Sequence, residues 1–215
     1  RGELWRPDMS QVDAADDHWD PTVVEKCVAV LDRERDVVVC YPKTVLLDKE
    51  GNIRERYEDN LNLKESSPAA RFIRALEETT LCHVHLGVIR RASMMRTALI
   101  GDELSSDIRF LAELSLYGKF HVLPEYLFFR RFHETSSSWE RDNMAHQRAY
   151  YAPERRNGFG MHSWRRYVHL FSAVTRAPIE MREKMEIYRY LGRKMRKQRR
   201  ILLGELRGDV MRPVV

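Results

Sequence analysis

Long apolar runs are missing from this chain of 215 residues. Nothing approaches the ~18 consecutive apolar residues of a bilayer-spanning helix. The opening residues lack the basic-then-apolar pattern of a secretory signal. Cysteine is scarce, with only Cys27, Cys40 and Cys82. An odd number, widely spaced within apolar segments, argues against a disulfide frame and for reduced core thiols in a cytoplasmic protein. The run Cys82-His83-Val84-His85 has no second ligand pair to accompany it. Read as an alternating strand, it puts Cys82 and Val84 on one face and His83 and His85 on the other, so it does not read as a zinc site. Internal repeats are absent too. Basic residues are not interleaved with aromatics as base stacking requires, and no nucleic-acid partner is expected.

What is there suffices for a packed core: 43% of the residues are hydrophobic, unlike a disordered composition. At this length one large domain, or one domain plus an extension, is expected. The net charge of +5 is unevenly placed. Residues 176–212 hold twelve Lys/Arg against five Asp/Glu, so the rest of the chain is slightly acidic. In that basic stretch Met181, Met185, Tyr188, Leu191 and Met195 recur at helical spacing against an Arg/Lys face. Three readings stay open there. One is a helix packed on the rest of the chain with a solvated basic face, the second an interfacial helix at anionic lipid, and the third nucleic-acid binding through phosphates, which the missing aromatic interleaving counts against.

Along the chain, Val24, Cys27, Val28, Val30 and Leu31 predict a helix over 21–34, with Asp20 as cap and Pro21 at its first position. The β-branched run 36–41 predicts a buried strand, continued extended over 44–47. A turn at 48–52 and a return strand at 53–57 follow. Residues 58–66 read as a polar loop. Ser67-Pro68 opens a second helix with Phe72, Ile73 and Leu76 on its apolar face. Residues 82–90 read as extended and 92–96 as a short helix. A further helix buries Ile108, Leu111, Leu114 and Leu116, with Ser105 or Ser106 as cap and Gly118 as its stop. A strand at 120–122, Pro124 and an extended run at 126–131 come next. Residues 141–162 read as irregular, and helices fill 163–176 and 179–203, split at Ala177-Pro178.

Two stretches carry chemistry. Asp13, Asp16 and Asp17 crowd together just before a helix, and adjacent carboxylates repel unless a cation neutralises them. Hard oxygen donors of this kind suit Mg²⁺ or Mn²⁺, which in turn hold phosphates. The plain alternative is an acidic, solvated turn that caps the helix. Asp107 stands in the first turn of its helix. There a carboxylate is favourable on dipole grounds alone.

The pieces come in a recognisable order. Asp16-Asp17-His18-Trp19-Asp20-Pro21 opens a helix, and a strand pair turns at Lys49-Glu50-Gly51-Asn52. Gly87-Val88-Ile89-Arg90-Arg91 follows, then Ser106-Asp107-Ile108-Arg109-Phe110-Leu111 running to Leu114 and Gly118. Last comes Pro124-Glu125-Tyr126-Leu127-Phe128-Phe129-Arg130-Arg131-Phe132-His133. Over about residues 12–139 this set resembles the family 2 glycosyltransferases of the GT-A fold. The resemblance implies an α/β fold: the C-terminal part of a GT-A, Rossmann-like mixed sheet with flanking helices over 1–139. A helical basic C-terminal extension over 140–215 follows it. It further implies a nucleotide-sugar donor, a divalent Mn²⁺ or Mg²⁺, an inverting displacement at the anomeric carbon, and a carbohydrate or lipid-linked acceptor.

By the same resemblance, Asp16 matches the second acid of the family's Asp-x-Asp metal motif. The motif's first position is Ala14, with Asp13 adjacent. Asp17 falls to the donor, Asp107 to the catalytic base, and His133 to the metal or diphosphate, while Arg130 and Arg131 face phosphate. In such enzymes the nucleotide sits mostly on a βαβ half preceding the acidic motif. The expectation is that this half is missing, that the chain alone binds nucleotide weakly, and that an uncovered sheet edge favours self-association. The basic helices would then touch the inner face of a membrane. The rival expectation is a non-catalytic module of transferase fold acting through those helices.

Overall fold

The structure is a computed structural model that describes residues 4–5, 17–59, 61–101, 105–131 and 161–207. It is an α/β sandwich built on strand β3 (Val37–Leu47). Of these eleven residues only Lys43 is not fully buried. A continuous Val/Leu/Cys run of this kind is what a strand covered on both faces requires. One edge of β3 pairs in parallel with β6 (Lys119–Arg131). The other edge is shared antiparallel by β4 (Ile53–Tyr57) and β5 (Val88–Arg90). Two short strands close the ends: β1 (Leu4–Trp5) against β5, and β2 (His18–Trp19) against β6. The sheet is therefore mixed, in the order β1-β5-β3-β6-β2 with β4 beside β3. Ile53, Arg54, Glu55 and Arg56 of β4 are all exposed. Charged side chains on such an outer strand discourage edge-to-edge pairing.

Helix α1 (Val23–Arg33) covers one face through Val23, Cys27, Val30 and Leu31, packed on Val37, Cys40, Leu123 and Leu127. The stripe uses Val23 rather than the expected Val24, which is exposed. Thr22 occupies the cap position, and Asp20 acts one step earlier. The Asp20 carboxylate accepts the Thr22 N–H at 2.9 Å and the Thr22 hydroxyl at 2.5 Å.

Helices α2 (Pro68–Glu78) and α4 (Ser106–Ser115) lie on the opposite face; α3 (Arg91–Met94) is a single turn after β5. Ser67 caps α2, its hydroxyl accepting the Ala70 N–H at 3.1 Å, as Ser-Pro predicted. The polar segment before it holds Leu61 and Leu63, which are fully buried beneath α2 and α4. Gly118 is not in the left-handed region and does not stop α4 in that way. It serves close approach: a Cβ there would lie 2.4 Å from Val38 Cγ1 and 2.6 Å from the Asp36 carbonyl oxygen.

The two extended runs around Pro124 form one strand. Pro42 pairs with Leu123 and Lys43 with Tyr126, so Pro124 and Glu125 make a bulge. A bulge accommodates a residue without an N–H while letting the strand continue.

Helix α5 (His162–Arg176) packs onto α4 and α6 (Met181–Lys197) onto α2, while α7 (Arg199–Arg207) packs onto α5 and α6. Tyr167, Leu170, Val174, Ile187, Tyr190, Leu191 and Leu202 join the same core as Phe72 and Phe110. The buried stripe of α6 differs from the predicted one. Tyr188, Leu191 and Met195 face the core as expected, but Met181 and Met185 are exposed and Ile187 and Tyr190 take their place. No described helix is long and apolar enough to cross a membrane.

Candidate functional site

Parallel strands present their carboxyl ends together, and in open α/β sheets that rim is where ligands bind. Here the rim is formed by the ends of β3 and β6, where Leu46 opposes Arg130 and Leu47 opposes Arg131. Strand β2 crosses this end antiparallel. His18 stacks on Phe129 at 4.6 Å and Trp19 on Phe128 at 4.3 Å. The stacking fixes Asp17, the residue before β2, against the strand end. The Arg131 N–H donates to Asp17 Oδ1 at 3.0 Å. The Arg131 guanidinium turns to the hairpin, donating from Nη1 to the Lys49 carbonyl at 2.8 Å. Neighbouring strand residues point to opposite faces, and Arg130 accordingly serves a different group.

Arg130 Nη1 lies 2.9 Å from His83 Nε2, and His83 Nδ1 lies 3.0 Å from Thr44 Oγ1. Guanidinium can only donate. His83 Nε2 therefore accepts, and the ring proton sits on Nδ1, where it donates to the Thr44 hydroxyl. His83 is buried, with its ring edge-on to Tyr57 and to Phe128.

Residues 82–90 are not one strand. Only Val88–Arg90 is extended, and His83–Leu86 wind as a 3₁₀ turn. Winding replaces a two-residue repeat by a three-residue one, so Cys82 and His85 come to the same side. Two features mark the turn. Gly87 lies so close to β3 that a Cβ there would fall 2.5 Å from the Cys40 carbonyl oxygen. Cys82 adopts φ of 57°, in the left-handed region. A non-glycine residue there costs on the order of 1–3 kcal/mol, and such strain gathers at functional sites.

Opposite this turn stands the start of α4. Ser105 also has a positive φ, of 60°, and makes no side-chain cap. The Ser106 hydroxyl instead donates to the Gly101 carbonyl at 2.8 Å, and Arg109 Nη2 donates to the Leu99 carbonyl at 2.9 Å. Both bonds tie the preceding loop to the helix. Asp107 follows, one oxygen accepting the Ile108 N–H at 2.8 Å. The donor atoms of Asp107, His85 and Cys82 all lie within 4.8 Å of one another. His85 Nδ1 bonds the Cys82 carbonyl oxygen. Burial holds the His85 imidazole below its ordinary pKa, Asp107 pulls the other way, and the Arg130 charge adds to the lowering. The imidazole is thus neutral at physiological pH.

Of the residues singled out in the sequence, Asp107 and Arg130 meet around the two histidines of the turn, and Asp17 and Arg131 join at the adjoining strand end. Asp13, Asp16 and His133 lie outside the described residues. Cys82, His83 and His85 were missed as participants because Cys-His-Val-His was read at a strand's repeat. All three cysteines are buried and none is in a disulfide, as their number and spacing predicted.

Among the described residues, Cys82, His85 and Asp107 are the one group of three donors that could hold a metal ion. Sulfur, nitrogen and oxygen together suit Zn²⁺, whereas Mg²⁺ and Mn²⁺ favour all-oxygen sets. No protein-family model matches the chain, and a search of curated proteins returns no match.

Proposed function

We propose that the protein is an inverting glycosyltransferase that moves a sugar from a nucleotide diphosphate to a hydroxyl of a carbohydrate or lipid-linked acceptor. The observation that supports this reading best is Asp107. Its carboxylate stands at a helix start beside a neutral imidazole, on a turn whose His83 meets Arg130 of β6. In the reaction the acceptor oxygen attacks the anomeric carbon while Asp107 takes the hydroxyl proton. The bond from that carbon to the diphosphate oxygen breaks, and its electron pair leaves with the phosphate. Arg130 and Arg131 supply positive charge at the rim of β3 and β6, and guanidinium suits phosphate oxygens. Asp17, which the resemblance assigns to the donor, holds the backbone N–H of Arg131 at this strand end. A divalent ion, when bound, would neutralise the leaving diphosphate; the residues the resemblance assigns to it, Asp16 and His133, lie outside the described part of the chain.

The test uses the complete gene product with a panel of UDP-, GDP- and dTDP-sugars. Asp107→Asn should lower transfer by about 10²–10⁴-fold, the usual worth of a positioned base, while nucleoside diphosphate affinity measured by titration calorimetry is retained. Absence of nucleoside diphosphate binding by the complete gene product, or full activity in Asp107→Asn, would overturn the reading.

A further inference from the structure

We propose that Cys82, His85 and Asp107 form a three-donor site for Zn²⁺, and that its occupancy takes Asp107 out of proton transfer. The second half rests on the transferase reading; the first does not. The three donors come from two segments 22 residues apart in the chain, the turn after α2 and the start of α4. Their atoms lie within 4.8 Å of one another. Zinc bonds of about 2.0–2.3 Å imply tetrahedral edges of roughly 3.3–3.8 Å, so each atom needs to shift by at most about an ångström. One thiolate, one imidazole and one carboxylate form a borderline-soft set that Mg²⁺ and Ca²⁺ do not prefer.

The surroundings suit ligation. His85 spends Nδ1 on the Cys82 carbonyl oxygen. Metal-bound histidines are held in the same way, with the second ring nitrogen bonded to a carbonyl or carboxylate and the other left for the ion. The left-handed backbone of Cys82 and the close packing of Gly87 fix the turn before any ion arrives. A thiolate and a carboxylate together balance the charge of Zn²⁺. Arg130, whose charge also reaches His85, is held on His83 and works against the ion, and the two anionic ligands offset it. Cys82 is buried, but His85 and Asp107 are only half-buried, which leaves a route for the ion.

Three protein ligands leave one coordination position open, unlike the closed four-ligand set of a structural zinc. Binding displaces the Cys82 proton and engages a lone pair on Asp107. A carboxylate so engaged no longer accepts a proton from an acceptor hydroxyl. Zinc is thereby an inhibitor of the reaction and not its cofactor.

The test is titration of the folded full chain with Co²⁺, read by absorbance, followed by displacement with Zn²⁺. One equivalent should produce the ligand-field bands of tetrahedral cobalt and a thiolate charge-transfer band. Zn²⁺ should abolish both. Cys82→Ser should lose the charge-transfer band while keeping its circular dichroism, and His85→Gln should bind about tenfold more weakly or worse. No thiolate band in the folded wild type, or a band that survives in Cys82→Ser, overturns the site. Where transfer activity is measurable, Zn²⁺ should inhibit the wild type at least about tenfold more strongly than Cys82→Ser, each against its own metal-free rate. Cobalt binding without any transfer activity in the complete gene product would sink the transferase reading and leave the site standing. Activity without cobalt binding would sink the site alone. Binding without inhibition would remove the inhibitory role.

Discussion

At the scale of single residues, His85 lies between opposing influences. Burial lowers its pKa from 6.5, Asp107 raises it, and the net shift is downward. The sign follows from proton binding. In the fold the imidazole stays neutral, whereas in the unfolded chain it takes a proton as pH falls through about 6.5. Stability from this group is therefore complete above that value and is lost as pH falls towards the lower folded value. His121, also lowered by burial and by Lys64, acts in the same direction. It is present in any His85 variant and cancels in a comparison. Melting curves of wild type and His85→Gln between about pH 8 and about pH 5.5 should show a steeper loss of Tm in the wild type, whatever the constant offset between the two proteins. Parallel curves would show that His85 is not held neutral. The residue scale is also where the sequence was hardest to read. Asp107 and Arg130 stand out as charged groups at the ends of regular elements. Nothing in Cys-His-Val-His says that it winds in threes until Gly87 is seen pressed against Cys40.

At the scale of elements, β3 was the most legible, because a run of β-branched and apolar residues has few alternatives to burial on both faces. The hairpin to β4 was legible as well, its turn closed by Asp48, which accepts the Asn52 N–H at 2.8 Å. Strand β6 was legible only in pieces. Proline normally ends a strand, and local sequence does not reveal that β3 supplies a partner on both sides of a bulge. Gly118 shows the same limit, since a glycine after a helix suggests a left-handed stop, while the crowding by Val38 and Asp36 exists only after the sheet has formed. That crowding makes a prediction. In Gly118→Ala the new methyl group meets a β-branched side chain and a backbone oxygen, neither of which gives way easily. The cost should be about 1–3 kcal/mol, a fall in Tm of roughly 2–12 °C for a chain of this size. A melt within about a degree of wild type would mean that α4 approaches β3 less closely than described.

At the scale of the whole molecule, the basic C-terminal helices share the core of the sheet rather than hanging from it. Their apolar stripe was visible in the sequence, and Tyr188, Leu191 and Met195 do face the core, but Ile187 and Tyr190 were not foreseen. The burial of Ile187 and Tyr190 depends on where α2 lies, and α2 is more than a hundred residues earlier. One carboxylate marks the junction. Glu183 of α6 accepts the Ser67 hydroxyl at 2.7 Å and the Ala69 N–H at 2.8 Å, at the N-terminus of α2. An anion there meets both unpaired N–H groups and the positive end of the helix dipole. Burial raises the Glu183 pKa, the bonds from Ser67 and Ala69 lower it, and the net shift is downward. A depressed carboxylate stabilises above its unfolded pKa of about 4.3, and that stabilisation is lost as pH falls through the folded value. Glu183→Ala should therefore cost about 1–2 kcal/mol near neutral pH, and the difference from wild type should narrow as pH falls below about 4.3. Glu183→Gln, which keeps an acceptor but no charge, should fall between the two. If α6 holds α2 through this bond, hydrogen exchange in Glu183→Ala should quicken at the N-terminal amides of α2 and in α6, while β3 stays protected. Uniform quickening across β3 would instead mean that the bond supports global stability without marking a separable junction.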